Sequence, residues 1–156
     1  MKSKILEWIT FIQAPGQIGN LPICPFAAKA MANKRVEINP IEGLSDIVWT
    51  INDVDLDLVD VSIFYLSDYE RYTSEELQEL MFKLNKLFNV HDKVILESDP
   101  RQPFIINGHT TTFNGCYLIL VQGLELLNKH ADILKLTDYY SYWTKEQYNE
   151  VVKWRS

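Results

Sequence analysis

Apolar residues recur along the chain with two different periods, and the switches between them mark the elements. Ile5, Trp8, Ile9 and Ile12 fall at helical spacing, so residues 4–13 read as a short amphipathic helix. "APGQIGNLP", with two Pro and two Gly, breaks it. A second short helix is predicted from Pro25 to about Asn33. Proline is favoured at the first helical position because its missing N–H would have been unpaired anyway. "RVEINPI" reads as a strand, and Pro40 puts it at an edge or an end. "DIVWTI" and "VDVSIFYL" are β-branched and aromatic and predict two further strands. Between them "NDVDLDLVD" alternates acids with apolar residues and reads as strand or as exposed loop.

The best-specified element is "TSEELQELMFKLNKLFN". Thr73 and Glu76 have the spacing of a capping box, and Leu77, Leu80, Met81, Leu84, Leu87 and Phe88 form one apolar stripe. "KVILE" follows as a strand. A long polar loop, "SDPRQPFIINGHTTTFNG", comes next, with a turn at Asn107-Gly108. From Cys116, the positions of Ile119, Leu120, Leu124 and Leu127 predict a buried helix, although "CYLILV" alone reads equally well as a strand. A last helix is predicted to open at Thr144, with Gln147 as its capping partner. Helices first, then strands, helix, strand and helices make an α+β fold. The expected architecture is a small antiparallel or mixed sheet with helices mainly on one face, a ferredoxin-like arrangement being the first choice. At 156 residues the chain is expected to form a single domain, 1–156.

Composition narrows the partners. The net charge is −6, and between Glu42 and Glu79 eleven acids stand against one base, Arg71. That segment repels a phosphate backbone, so no nucleic acid is expected as partner. The acids read mainly as a solvated face. No apolar run reaches the length of a membrane span, so no membrane partner is expected. The basic, then apolar start imitates a signal peptide, but Glu7 interrupts it and no small-residue cleavage site follows. Cys24 and Cys116 form no CxxC and have no His at metal-ligand spacing, so a reduced, cytoplasmic protein is the expectation. No metal site is predicted and no cofactor is indicated; phosphate-loop, dinucleotide, zinc-protease, EF-hand and serine-hydrolase motifs are all lacking.

Three stretches carry candidate chemistry. A thiol at a helix N-terminus is stabilised as thiolate by the dipole and the free N–H groups, so Cys24, followed by Pro25 and Phe26, is a candidate nucleophile or redox group. Cys24, Ala28 and Met31 also share a helical face, and the competing reading is a small apolar residue packed in the core. The long loop concentrates Asp99, Arg101, His109 and three threonines. Arg101 is a candidate clamp for a carboxylate or phosphate, His109 a candidate general acid or base, and Thr110, Thr111 and Thr112 candidate ligand-binding hydroxyls or helix caps. The competing reading there is a structural ion pair between Asp99 and Arg101. Finally "DYYSYWTKEQY" gathers Tyr139, Tyr140, Tyr142 and Trp143, which complete a core or supply a homodimer contact.

The Cys-Pro-aromatic turn resembles the active-site turn of glutaredoxins, but Ala27 stands where a resolving thiol would be, and no strand precedes it. As a whole the chain resembles a bacterial family of unknown function whose members open with a Trp-containing helix and a Gly-Leu-Cys-Pro-Phe-Ala motif. Trp8, "PICPFA" from Pro22 to Ala27, and Arg35-Val36 match that opening. Asp99-Pro100, Pro103 and the helix expected from Cys116 look like counterparts of its later Pro-rich loop and last helix. "HTTTFNG" departs from that family's pattern. The resemblance implies that Cys24-Pro25-Phe26 and the 99–112 loop belong to one site. The expectation is therefore a small enzyme or ligand-binding protein, for an anionic small molecule held between two helix N-termini and Arg101, with thiol chemistry at Cys24. The alternative is a non-enzymatic interaction protein or dimer with buried, inert cysteines.

Overall fold

The computed structural model describes residues 1–155. Its strands are β1 (Val36–Ile41), β2 (Val61–Leu66), β3 (Lys93–Ser98), β4 (Ile105–Ile106), β5 (His109–Thr110) and β6 (Tyr117–Gly123). Its helices are α1 (Lys2–Ile12), α2 (Ala27–Ala32), α3 (Ile47–Asn52), α4 (Ser74–Phe88), α5 (Leu124–Leu134) and α6 (Lys145–Val151). The main sheet has the order β1-β2-β6-β3, with β1 and β2 parallel and the other two pairings antiparallel. The fold is α+β around a mixed sheet, as expected. The ferredoxin-like arrangement finds no support in this order, in which the parallel pair sits at one edge. Pro40 falls on edge strand β1, where it interrupts no interior ladder.

Strand alternation divides the sheet into two faces. Phe64, Ile95, Tyr117, Ile119 and Val121 point to one side and meet Leu77, Met81, Leu84 and Phe88 of α4, together with α3. Thr73 accepts a hydrogen bond from the Glu76 N–H and starts α4 where the sequence predicts, although only this half of the capping box forms. Asn85 fixes α4 to the sheet: its Nδ2 donates to the Ile95 carbonyl at 2.8 Å, and its Oδ1 accepts from the Ile95 N–H at 2.8 Å. Ile95 lies on edge strand β3, so this amide supplies the partner that a further strand would have given. Val36, Ile38, Val61, Ile63 and Leu118 point to the other side, toward α1 and α2. Helices α5 and α6 lie on that side as well, so four of the six helices share one face.

Three elements depart from the sequence reading. "DIVWTI" forms helix α3, not a strand: only Ile47 and Ile51, four residues apart, are buried, while Val48 and Trp49 face solvent. The run from Cys116 is strand β6, and the helix begins at Leu124, behind Gly123. Strand β6 is apolar from Tyr117 to Val121 because it is an interior strand, with an antiparallel partner on each side and helices packed toward both of its faces. Helix α2 starts at Ala27, after a turn through Cys24-Pro25, so Cys24 is not its N-cap. The expected pair of helix N-termini, at Cys24 and Cys116, is therefore not formed. "NDVDLDLVD" is a turn-rich loop. Asn107 (φ 50°) and Gly108 (φ 76°) make the left-handed two-residue turn that joins β4 to β5. Both cysteines are free, and among the described residues no helix is long and apolar enough to cross a membrane.

Candidate functional site

On the α1 side of the sheet, packing is incomplete. The register aligns Ile38, Ile63, Leu120 and Leu96 in one row across the four strands. Ile38 and Ile63 are buried, but Leu120 and Leu96 stay half-exposed, whereas the opposite-facing Ile119 and Val121 of the same strand are 0% exposed. The space above Leu120 and Leu96 is a cavity of about 600 Å³. Trp8, Ile9 and Ile12 of α1 form one wall, and Leu126, Leu127 and His130 of α5 another. Tyr139, Tyr140 and Trp143 close a third side. The volume lies within the range of small-molecule sites, and so does the mixture of apolar walls with a few polar groups.

The Cys24 turn belongs to this wall. The Cys24 N–H donates to the Ile12 carbonyl at 2.7 Å and ties the turn to the end of α1. The Tyr139 hydroxyl donates to the Ile23 carbonyl and ties the same turn to the C-terminal aromatic segment. Phe26 stacks on the His130 ring, with centroids 3.8 Å apart and planes at 15°. Burial pushes the Cys24 thiol up and outweighs the N–H groups of Phe26 and Ala27, which act in the opposite direction. The sulfur is thus a protonated, packed group. His130 is pulled down, by burial first and then by Lys29, with Asp60 opposing, which favours its neutral ring. At the rim Arg35 and Asp60 form an ion pair of 2.8 Å.

The 99–112 loop is divided between the two faces. Phe104 and Thr111 reach the cavity. Phe104 packs on Trp143 at 5.4 Å, and the Trp8 indole N–H donates to the Thr111 carbonyl at 2.9 Å. The threonine hydroxyls serve the loop: Thr111 Oγ1 donates to the Phe104 carbonyl, and Thr112 Oγ1 accepts from the Phe104 N–H. They cap no helix, because a strand follows. Thr110 is exposed, and His109, half-buried on β5, is outside the cavity lining.

Asp99 and Arg101 sit against α4, on the other side of the sheet. Arg101 Nε donates to Asp99 Oδ1 at 3.0 Å and its Nη2 to Oδ2 at 3.1 Å, while Ser74 Oγ donates to Oδ2 at 2.9 Å. The remaining Arg101 Nη1 donates to the Tyr72 carbonyl, and the guanidinium lies over the Tyr69 ring. Burial alone would raise the Asp99 carboxyl, but the Arg101 ion pair and the surrounding N–H and O–H donors hold it below the ordinary carboxylate range. Nearby, burial raises Glu97, which accepts from the Tyr117 hydroxyl. This network locks the loop's first turn to α4. It is the ion pair that stood as the competing reading, and it leaves no free anion clamp at Arg101.

The cavity therefore unites Cys24, Pro25, Phe26 and Thr111 but not Asp99, Arg101 or His109. Sequence reasoning missed Leu96, Leu120, Gln122, His130 and Arg155, which also line it. No linear motif joins them, and none of the five stands out in the sequence. Among the described residues no cluster of His, Cys, Asp and Glu could hold a metal. No family model, curated protein or solved structure matches the chain.

Proposed function

We propose that the protein is a binding protein for a predominantly apolar small molecule, held in the cavity between the sheet and α1, α5 and the C-terminal aromatic segment. The observation that carries this reading is the pair Leu96 and Leu120, which line the cavity and stay partly exposed on a sheet face where Ile38, Ile63 and Leu118 are buried. An interior is normally filled to crystal-like density, so leaving two leucines only partly covered forfeits contacts that α1 or α5 would otherwise supply. A ligand restores them. At about 30 Å³ for each water-sized group, the volume accepts on the order of twenty non-hydrogen atoms.

Cys24 acts as wall in this reading. Its thiol is raised, and among the described residues the one imidazole on the lining, His130, is engaged by Phe26. Titration with a neutral polarity-sensitive fluorophore, N-phenylnaphthylamine, tests the proposal. Saturable binding at one site per chain, with a blue-shifted emission, is expected. Non-saturable or absent binding refutes it.

A further inference from the structure

Arg155 is only 9% exposed and lines the cavity. Its Nε is fully shielded from solvent and has no hydrogen-bond partner, and among the described residues no carboxylate pairs with its guanidinium. The other basic groups on the cavity lining are differently placed: Arg35 is held by Asp60, and Lys29 is exposed at the rim. A second shielded donor lies close by. The Trp143 indole N–H lines the same cavity; its polar neighbour is the Tyr139 hydroxyl, toward which it acts as a donor without reaching a well-aligned hydrogen bond. Tyr140 stands beside both, with its ring 5.2 Å from that of Trp143 and its phenol among the groups facing Arg155.

A buried cation with no counter-charge is costly unless something supplies the charge. We propose that the cavity ligand is an amphiphilic carboxylic acid, whose alkyl chain lies over Leu96 and Leu120 and whose carboxylate is seated on Arg155. This rests on the ligand-binding reading above and adds the headgroup to it. The guanidinium offers parallel N–H donors that match a carboxylate in two-point contact, and an uncharged hydroxyl cannot replace that contact. Burial pulls Arg155 below the ordinary arginine value, with Tyr140 and Tyr148 only partly offsetting it. An incoming carboxylate would reverse that penalty. The apolar walls and the single buried charge together describe a monoanionic amphiphile better than a small, fully polar anion.

Displacement of N-phenylnaphthylamine by dodecanoate and by dodecanol, compared at pH 8 below their aggregation thresholds, tests the headgroup. Dodecanoate should displace the probe at about ten- to hundredfold lower concentration than the alcohol, the scale of one charge-assisted contact. Arg155→Gln should erase that ratio and Arg155→Lys should keep part of it. Arg101→Gln, on the opposite face, should leave it intact. Equal displacement by acid and alcohol in the unaltered protein overturns the assignment while leaving the binding reading standing. An unchanged ratio in a folded Arg155→Gln protein, verified by circular dichroism, overturns it as well. If the probe itself fails to bind, the binding reading falls and this one with it.

Discussion

Replacing Asp99 with Asn separates the structural ion pair from the cavity. The carboxylate accepts two hydrogen bonds from the Arg101 side chain, one from the Arg101 N–H at 2.9 Å and one from Ser74. Its side chain is 3% exposed and that of Arg101 is 31% exposed. The amide keeps the shape but removes the charge, and it turns one oxygen into a donor facing donors. A hydrogen bond to a charged group contributes about 1.5–3 kcal/mol, and the partly solvated arginine discounts the ionic part, so Asp99→Asn should cost roughly 2–3 kcal/mol at pH 7. For a chain of this size that lowers Tm by roughly 5–10 °C. The pH dependence has a definite sign. The folded protein holds this carboxyl below its unfolded value, so its contribution is complete above about pH 4 and fades as pH falls through the lower folded value. Urea unfolding followed by circular dichroism should therefore show a large gap between the two proteins at pH 7 and a narrower one near pH 3. Probe affinity measured on the folded variant should stay within about twofold, because the pair touches no cavity residue. A gap below about 0.5 kcal/mol at pH 7, the range of ordinary surface substitutions, would refute this reading of the network. So would a gap that widens in acid.

Two further outcomes follow from other contacts. Asn85→Ala strands the Ile95 N–H and carbonyl beside α4, and should lower the stability measured in urea by about 2–4 kcal/mol; a change inside the surface range would mean that water replaces the amide. Cys24 in the native protein should react with iodoacetamide at pH 7 at least about tenfold more slowly than an unfolded thiol. Rapid native alkylation would return the sulfur to the list of nucleophiles.

How far the sequence could be read depended on whether local signals agreed. Helix α4 was legible because Thr73, the charged first turn and the leucine stripe all favour one conformation. Helix α6 was legible for the same reason: Thr144 and Gln147 form the reciprocal cap. Residues 46–51 were not, because β-branched residues favour strands locally, whereas tertiary packing needed only Ile47 and Ile51. The run from Cys116 was ambiguous because six apolar residues satisfy either period, and its burial on both faces depends on strands far away in the chain. Half of the site was legible: the Cys24 turn and part of the 99–112 loop do meet. The other half depends on Arg155 and Leu120, which look ordinary in sequence. An arginine near Trp154 reads as a solvated base, and a leucine in a strand reads as core. Only the packing of α1, α5 and the aromatic segment leaves one unpaired and the other partly exposed to the cavity.

Filling the cavity tests the central claim most directly. Leu120→Trp places an indole into the space above the sheet, where the wild-type leucine is half-exposed. Fluorophore titration of this variant beside the unaltered protein should show at least about a tenfold loss of affinity, with Tm unchanged or raised because empty volume has been occupied. Undiminished binding in a folded Leu120→Trp protein would contradict the account, because the fluorophore would then be bound somewhere other than this cavity.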